Sequence, residues 1–84
     1  MKHLMLLRHA KSSWDHSQLS DEERPLAPRG VKALPLMGKV LEAMNPSVER
    51  IYSSPAVRAI ETAKGVIREL SKPPEVEVHP SLYL

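Results

Sequence analysis

Apolar residues fall into short groups along the chain, with proline-marked polar stretches between them. Leu4, Met5, Leu6 and Leu7 form a run without alternation. This is the pattern of a strand buried on both faces in the middle of a parallel sheet, and it predicts a strand over residues 3–8. Over residues 29–44, Val31, Leu34, Met37, Val40, Leu41 and Met44 recur at helical spacing, predicting a helix with one face free to pack on a sheet. Pro35 removes a backbone donor inside that helix. A kink is therefore expected in its first half, at about 3 kcal/mol unless the first turns are arranged around it. Asn45-Pro46 is the stop signal. Residues 48–53 read as a second strand, with Val48, Ile51 and Tyr52 supplying β-branched and aromatic content. Ser54 and Pro55 are placed to cap and start a second helix, whose stripe of Val57, Ile60, Ala63, Ile67 and Leu70 runs to the Pro73-Pro74 stop. In residues 75–79, Glu75, Val76, Glu77 and Val78 alternate as in an edge strand with one wet face.

Strand, helix, strand, helix, strand in that order predicts an α/β fold, three-layer α/β/α around a mostly parallel sheet. Residues 9–28 interrupt the pattern with a long polar stretch. Ser20 and Glu23 have the spacing of a capping box, which predicts one short helix there; the remainder reads as a functional loop following a buried strand.

A length of 84 residues limits this to one small domain, residues 1–84. A chain of that size buries roughly 60 to 65% of the surface its unfolded form exposes, so no large ligand-enclosing architecture fits. No cysteine is present, which excludes disulfides, thiolate metal sites and cysteine nucleophiles and fits a reducing cytoplasm. The longest apolar run, Leu4 to Leu7, is far short of the roughly 18 residues of a membrane span. Net charge is +2, with basic residues scattered among acidic ones and 4% aromatic content; neither nucleic acid nor membrane is expected as a partner.

Parallel sheets bind ligands beyond the carboxyl ends of their strands. That rule selects Arg8 and His9, after the first predicted strand, and Arg58, in the first turn of the helix after the second. Arg matches phosphate oxygens with a planar fork of donors, and a helix N-terminus adds free N–H groups, so together they describe an oxyanion pocket. A neutral histidine in it can attack phosphorus and carry the phosphoryl group covalently. From position alone, His9 also reads as a hydrogen-bonded loop histidine and the arginines as surface ion-pair partners. Trp14 reads as packing rather than substrate contact, and Glu61 and Thr62 as helix surface.

Residues 4–14, LMLLRHAKSSW, and residues 53–63, SSPAVRAIETA, resemble the two N-terminal signatures of the histidine phosphatase superfamily, the phosphoglycerate-mutase-like proteins. Alanine after the Arg-His pair, the KSSW continuation and LSDEERPLAPRG before the first long helix resemble its short SixA-type phosphohistidine phosphatase branch. The resemblance covers essentially the whole chain and implies a phosphoglycerate-mutase-like fold. It makes His9 the nucleophile, acting through Nε2 with Nδ1–H on a backbone carbonyl, and gives Arg8 and Arg58 the phosphoryl oxygens. Ser12 and Asp15 match positions lining the pocket mouth. No metal or organic cofactor is implied. The expected partner is a phosphohistidine-containing protein domain, with a phosphorylated small molecule as the alternative.

The family pocket also holds a second histidine in a later Gly-His segment, and His3, His16 and His79 lack that context. The expectation is an N-terminal part of one such domain, truncated after its third strand, with exposed sheet edges suited to self-association. A catalytically impaired remnant that binds phosphate or a phosphorylated partner is the reading from a different class. Small-molecule phosphomonoesterase activity is the third.

Overall fold

A computed structural model describes residues 2–44 and 47–83. Its elements are helix α1 (Pro28–Ala43), strand β1 (Ile51–Ser53), helix α2 (Val57–Ile67), strand β2 (Val76–Val78) and a 3-10 turn at Pro80–Leu82. The strands pair in parallel, with Ile51 opposite Val76, Tyr52 opposite Glu77 and Ser53 opposite Val78. β1, α2 and β2 therefore form a βαβ unit, and the α/β class is as expected.

Among the described residues the sheet has two strands rather than three. Residues 3–8 have the apolar content of a buried strand but enter no ladder, and Leu4 and Leu6 are 83% and 89% exposed. Strand formation requires a neighbour for the backbone N–H and C=O groups, and neither β1 nor β2 takes that place. α1 runs unbroken through Pro35. The carbonyl that Pro35 deprives of a partner is that of Val31, a residue on the exposed side of the helix where water can serve it. Pro28 sits at the helix start, where a missing N–H costs nothing. The Asn45-Pro46 stop lies outside the described residues.

α2 begins two residues later than expected. Its N-cap is Ala56, and Ser54 Oγ instead accepts the Ala56 N–H at 3.2 Å, a local turn in place of a helix cap. The helix ends at Ile67, with Leu70 buried in the turn beyond it. Its buried face carries Thr62, Ala63 and Val66, so the stripe is rotated away from Val57, Ile60 and Ile67, all only partly buried.

The core is small: Leu26, Leu34 and Val66, with Ala10 and Leu41 packed against them. Its compactness depends on glycine. A Cβ on Gly38 of α1 would sit 2.5 Å from the Val66 carbonyl oxygen and 2.6 Å from Glu69 Cγ, and one on Gly65 of α2 would collide with Leu34. Gly38→Ala is therefore expected to destabilise the fold by about 1–3 kcal/mol despite alanine's better helix propensity, because the carbonyl cannot move aside without separating the helices. Urea denaturation measures this; equal or greater stability would show that the helices have room to part.

Candidate functional site

The polar stretch after residue 8 is an ordered loop closed at its base. Ser12 and Leu26 form an isolated antiparallel bridge. The Ser13 N–H donates to Pro25 O and the Ala27 N–H to Lys11 O, both at 2.8 Å. Ser20 and Glu23 make half of the expected capping box: Glu23 Oε1 accepts the Ser20 N–H at 3.0 Å and its hydroxyl at 2.9 Å, while the Glu23 N–H donates to the Ser20 carbonyl at 3.1 Å rather than to its side chain. These donors hold the Glu23 carboxyl below its ordinary pKa, the backbone N–H first. Only a turn forms, however, because Arg24 precedes Pro25 and is thereby disfavoured in helical geometry.

Helix α2 anchors this loop through four residues, Arg58 among them. Thr62 Oγ accepts the Ala10 N–H at 3.0 Å and donates to Arg58 O at 2.7 Å. Glu61 Oε1 accepts the Leu26 N–H at 3.1 Å, and the Val57 N–H donates to Glu22 O at 2.9 Å. Thr62 is thus buried at the join, a correction to its expected place on the helix surface. Its position one helical step from Ala63 and Val66, on the same face, was the sequence signal for it.

His9 is partly buried. Its Nδ1 lies 2.7 Å from the Ala10 carbonyl oxygen. A carbonyl can only accept, so in the neutral ring Nδ1 carries the proton and Nε2 keeps a free lone pair. An open groove of about 380 Å³ passes the ring. Arg8, Lys11 and Arg29 line it together with Leu34, Met37 and Val66, and its lining contains no carboxylate. The groove wall is mostly apolar, with the three basic residues among the side chains around it.

Arg58 is not among the groove-lining residues. Its Nη1 donates to the Asp21 backbone carbonyl at 2.7 Å and its Nη2 to Asp21 Oδ2 at 3.0 Å. The same Oδ2 accepts the Tyr83 hydroxyl at 2.6 Å, while Oδ1 pairs with Arg24 Nε at 3.3 Å. Arg24 is buried, and its Nη1 reaches Ser12 Oγ at 3.2 Å and Ser13 O at 3.0 Å. Its guanidinium stacks 3.4 Å from the centre of the Trp14 ring. Trp14 thus leans on Arg24, with its other side open to solvent. Ser12 is buried against Arg24 rather than at the groove mouth. Asp15 is exposed, with its N–H donating to Ser13 Oγ at 3.1 Å. Arg8 and His9 thus line one groove with Lys11 and Arg29, whereas Arg58 is tied to Asp21.

The Tyr83 hydroxyl first, then the Arg58 guanidinium, hold the Asp21 carboxyl below its ordinary pKa, and Asp21 in turn raises that of Tyr83. Because the folded-state value is the lower one, ionised Asp21 stabilises the fold fully above its unfolded pKa, near 3.9, and the contribution is lost as pH falls through the folded value. The thermal stability advantage of wild type over Asp21→Asn is accordingly expected to be present at pH 6 and to vanish on acidification below about pH 4. Melting curves against pH test this; a difference independent of pH would place the effect elsewhere than in the charge.

No group of three His, Cys, Asp or Glu side chains among the described residues is arranged to hold a metal ion. No helix there is long and apolar enough to cross a membrane.

Comparison with known proteins gives matches of several kinds. The family described as histidine phosphatase superfamily (branch 1) matches residues 4–83. An uncharacterized chloroplastic protein of Arabidopsis thaliana is 37% identical over 84 residues, covering 98% of this chain and 38% of its own length. The structure of the protein histidine phosphatase SixA complexed with tungstate superposes with a TM-score of 0.78 at 34% identity, over 90% of this chain and 47% of that one. A SixA structure from Agrobacterium tumefaciens, 23% identical with a TM-score of 0.81, shares the fold over 92% of this chain and 49% of its own. The chain thus spans less than half the length of these proteins.

Proposed function

The chain belongs to the histidine phosphatase superfamily, branch 1, and on that premise we propose that it forms the N-terminal part of one such domain and carries the nucleophilic half of a phosphohistidine phosphatase site. The observation that supports this most directly is the His9 ring, with Nδ1 on the Ala10 carbonyl and Nε2 left as the lone-pair nitrogen, in a residue that lines the same groove as Arg8. In the first step the Nε2 lone pair forms a bond to phosphorus while the bond from phosphorus to the substrate imidazole nitrogen breaks, and that imidazole leaves neutral, its other ring nitrogen having been protonated from solvent beforehand. In the second step water attacks phosphorus, the phosphorus–Nε2 bond breaks, and inorganic phosphate departs as His9 returns to its neutral form. Arg8 stabilises the equatorial oxygens, and Arg58, which α2 carries outside the groove lining, is the second phosphate ligand in this reading. Ser12 supports this arrangement from within the loop through Arg24, and Asp15 lies at its outer edge.

The substrate in this reading is a phosphohistidine-bearing protein domain in a reducing cytoplasm. Its test is incubation of the chain with a phosphorylated histidine domain and, separately, with p-nitrophenyl phosphate, following phosphate release and acid-labile phosphorylation of the chain. Labelling of the chain, or release from the protein substrate, supports the reading. Release from the small ester alone would assign a phosphomonoesterase. Saturable phosphate binding without either signal would leave a binding module in place of an enzyme.

A further inference from the structure

Asp21 has no part in the chemistry above, yet it receives both described hydrogen bonds of the Arg58 guanidinium. The two contacts differ in kind. One is to the Asp21 backbone carbonyl, which fixes where the guanidinium sits along the loop; the other is to the carboxylate, which fixes the direction in which its plane faces. Two further groups keep that carboxylate from swinging: the Tyr83 hydroxyl on the same oxygen as Arg58, and Arg24 Nε on the other. Arg24 is itself buried and bonded to Ser12 and Ser13 at the loop base. A guanidinium has five N–H donors, so after one each from Nη1 and Nη2 has been taken, three remain for another acceptor.

We propose that Asp21 is the positioning residue of Arg58, holding one edge of the guanidinium so that its remaining donors are presented to a phosphoryl oxyanion in a fixed orientation. The inference rests on the reading of Arg58 as a phosphate ligand. A free arginine on the first turn of α2 would have to give up side-chain entropy when phosphate arrives; one already held by Asp21 has given it up on folding. The carboxylate also withdraws part of the positive potential that attracts phosphate. Positioning and charge therefore act in opposite directions on affinity, and substitutions at this residue separate them.

The experiment is a calorimetric or NMR titration of the full chain with inorganic phosphate, comparing wild type with Arg58→Ala, Asp21→Ala and Asp21→Asn, with folding checked for each by circular dichroism. Arg58→Ala is expected to lose saturable binding. Asp21→Ala is expected to raise the dissociation constant roughly tenfold, the scale on which loss of orientation shows at such sites. Asp21→Asn keeps an oxygen acceptor for Nη2 without the charge, and is expected to bind at least as tightly as wild type even though it is less stable at neutral pH. That rescue is what a merely structural role would not produce. Unchanged or tighter binding by folded Asp21→Ala, with Arg58→Ala still impaired, overturns the inference alone. Undiminished binding by Arg58→Ala overturns the reading beneath it. Should Asp21→Ala not fold, hindered rotation of the Arg58 guanidinium in wild-type NMR spectra, relative to that of Arg29, whose side chain has no hydrogen-bond partner among the described residues, is the expected result, and equally fast rotation of the two overturns the proposal.

Discussion

Substituting His9 with alanine is expected to abolish acid-labile phosphorylation of the chain and to lower any phosphate release from a phosphohistidine substrate by about 10³-fold or more, the scale seen when a covalent nucleophile is removed. The fold should be unaffected, since the ring is only partly buried and its described hydrogen bond reaches no further than the adjacent Ala10 carbonyl. His9→Gly with added imidazole gives a sharper form of the same test. A diffusible imidazole occupying the vacated space restores nucleophilic attack, and phosphate release should rise with its concentration in that variant and not in wild type. Mass spectrometry of the intact chain at neutral pH, before and after acid treatment, measures the covalent intermediate. Undiminished release from a folded His9→Ala variant would remove the histidine from the chemistry.

The largest expected effect on stability belongs to Arg24. Arg24→Ala leaves Ser12 Oγ and Ser13 O without their described side-chain donor, one flank of Asp21 unpaired and the Trp14 ring without its cation. Charged hydrogen bonds at a buried group contribute more than neutral ones, and their loss here is expected to total about 3 kcal/mol. That is a large share of what a domain of this size commands. Trp14, the single tryptophan, provides the readout, because its fluorescence should change with loss of the stacked guanidinium under conditions where helix content persists. Arg24→Lys should recover little, since an ammonium cannot reach Ser12, Ser13 and Asp21 with a planar fork. A loss below about 0.5 kcal/mol in urea denaturation would show that the loop is held by its backbone bridge instead.

How far such features could be read from sequence depended on the range of the forces that set them. α1 was legible as an element but not in its packing face. Of the expected stripe only Leu34 is buried and Leu41 partly so, while Val31, Met37, Val40 and Met44 are exposed, because the close approach to α2 is made through Leu34 and Gly38. α2 was legible as an element but not in phase, since Val57, Ile60 and Ile67 outweigh Thr62 in hydropathy. The fold buries Thr62 because its hydroxyl joins Ala10 to the helix. Residues 3–8 were misread as a strand because composition records suitability for burial, whereas a ladder also requires a partner. Ser20 and Glu23 were read correctly as a pair but wrongly as a helix, for the local contact formed and Pro25 prevented its continuation. At the site, His9 and Arg8 were identified by their place after an apolar run and by their resemblance to a known signature. Where the Arg58 side chain ends was not legible, because it is set by Asp21, 37 positions earlier in the chain.

That separation has a bearing on when the site comes into being. The same Asp21 oxygen is bonded to Arg58 and to Tyr83, 62 positions away in the chain. Closing a loop of that length costs about 4 kcal/mol in chain entropy before its contact offers any return. Helices α1 and α2 can gain structure from their own neighbours, but the Asp21 junction waits for the chain beyond β2 to return. Completion of the Asp21 junction is therefore expected among the late events of folding, and during synthesis it follows the emergence of Tyr83. A nascent chain with both helices formed could already pair Arg58 with Asp21, but the Asp21 carboxylate would still lack the Tyr83 hydroxyl.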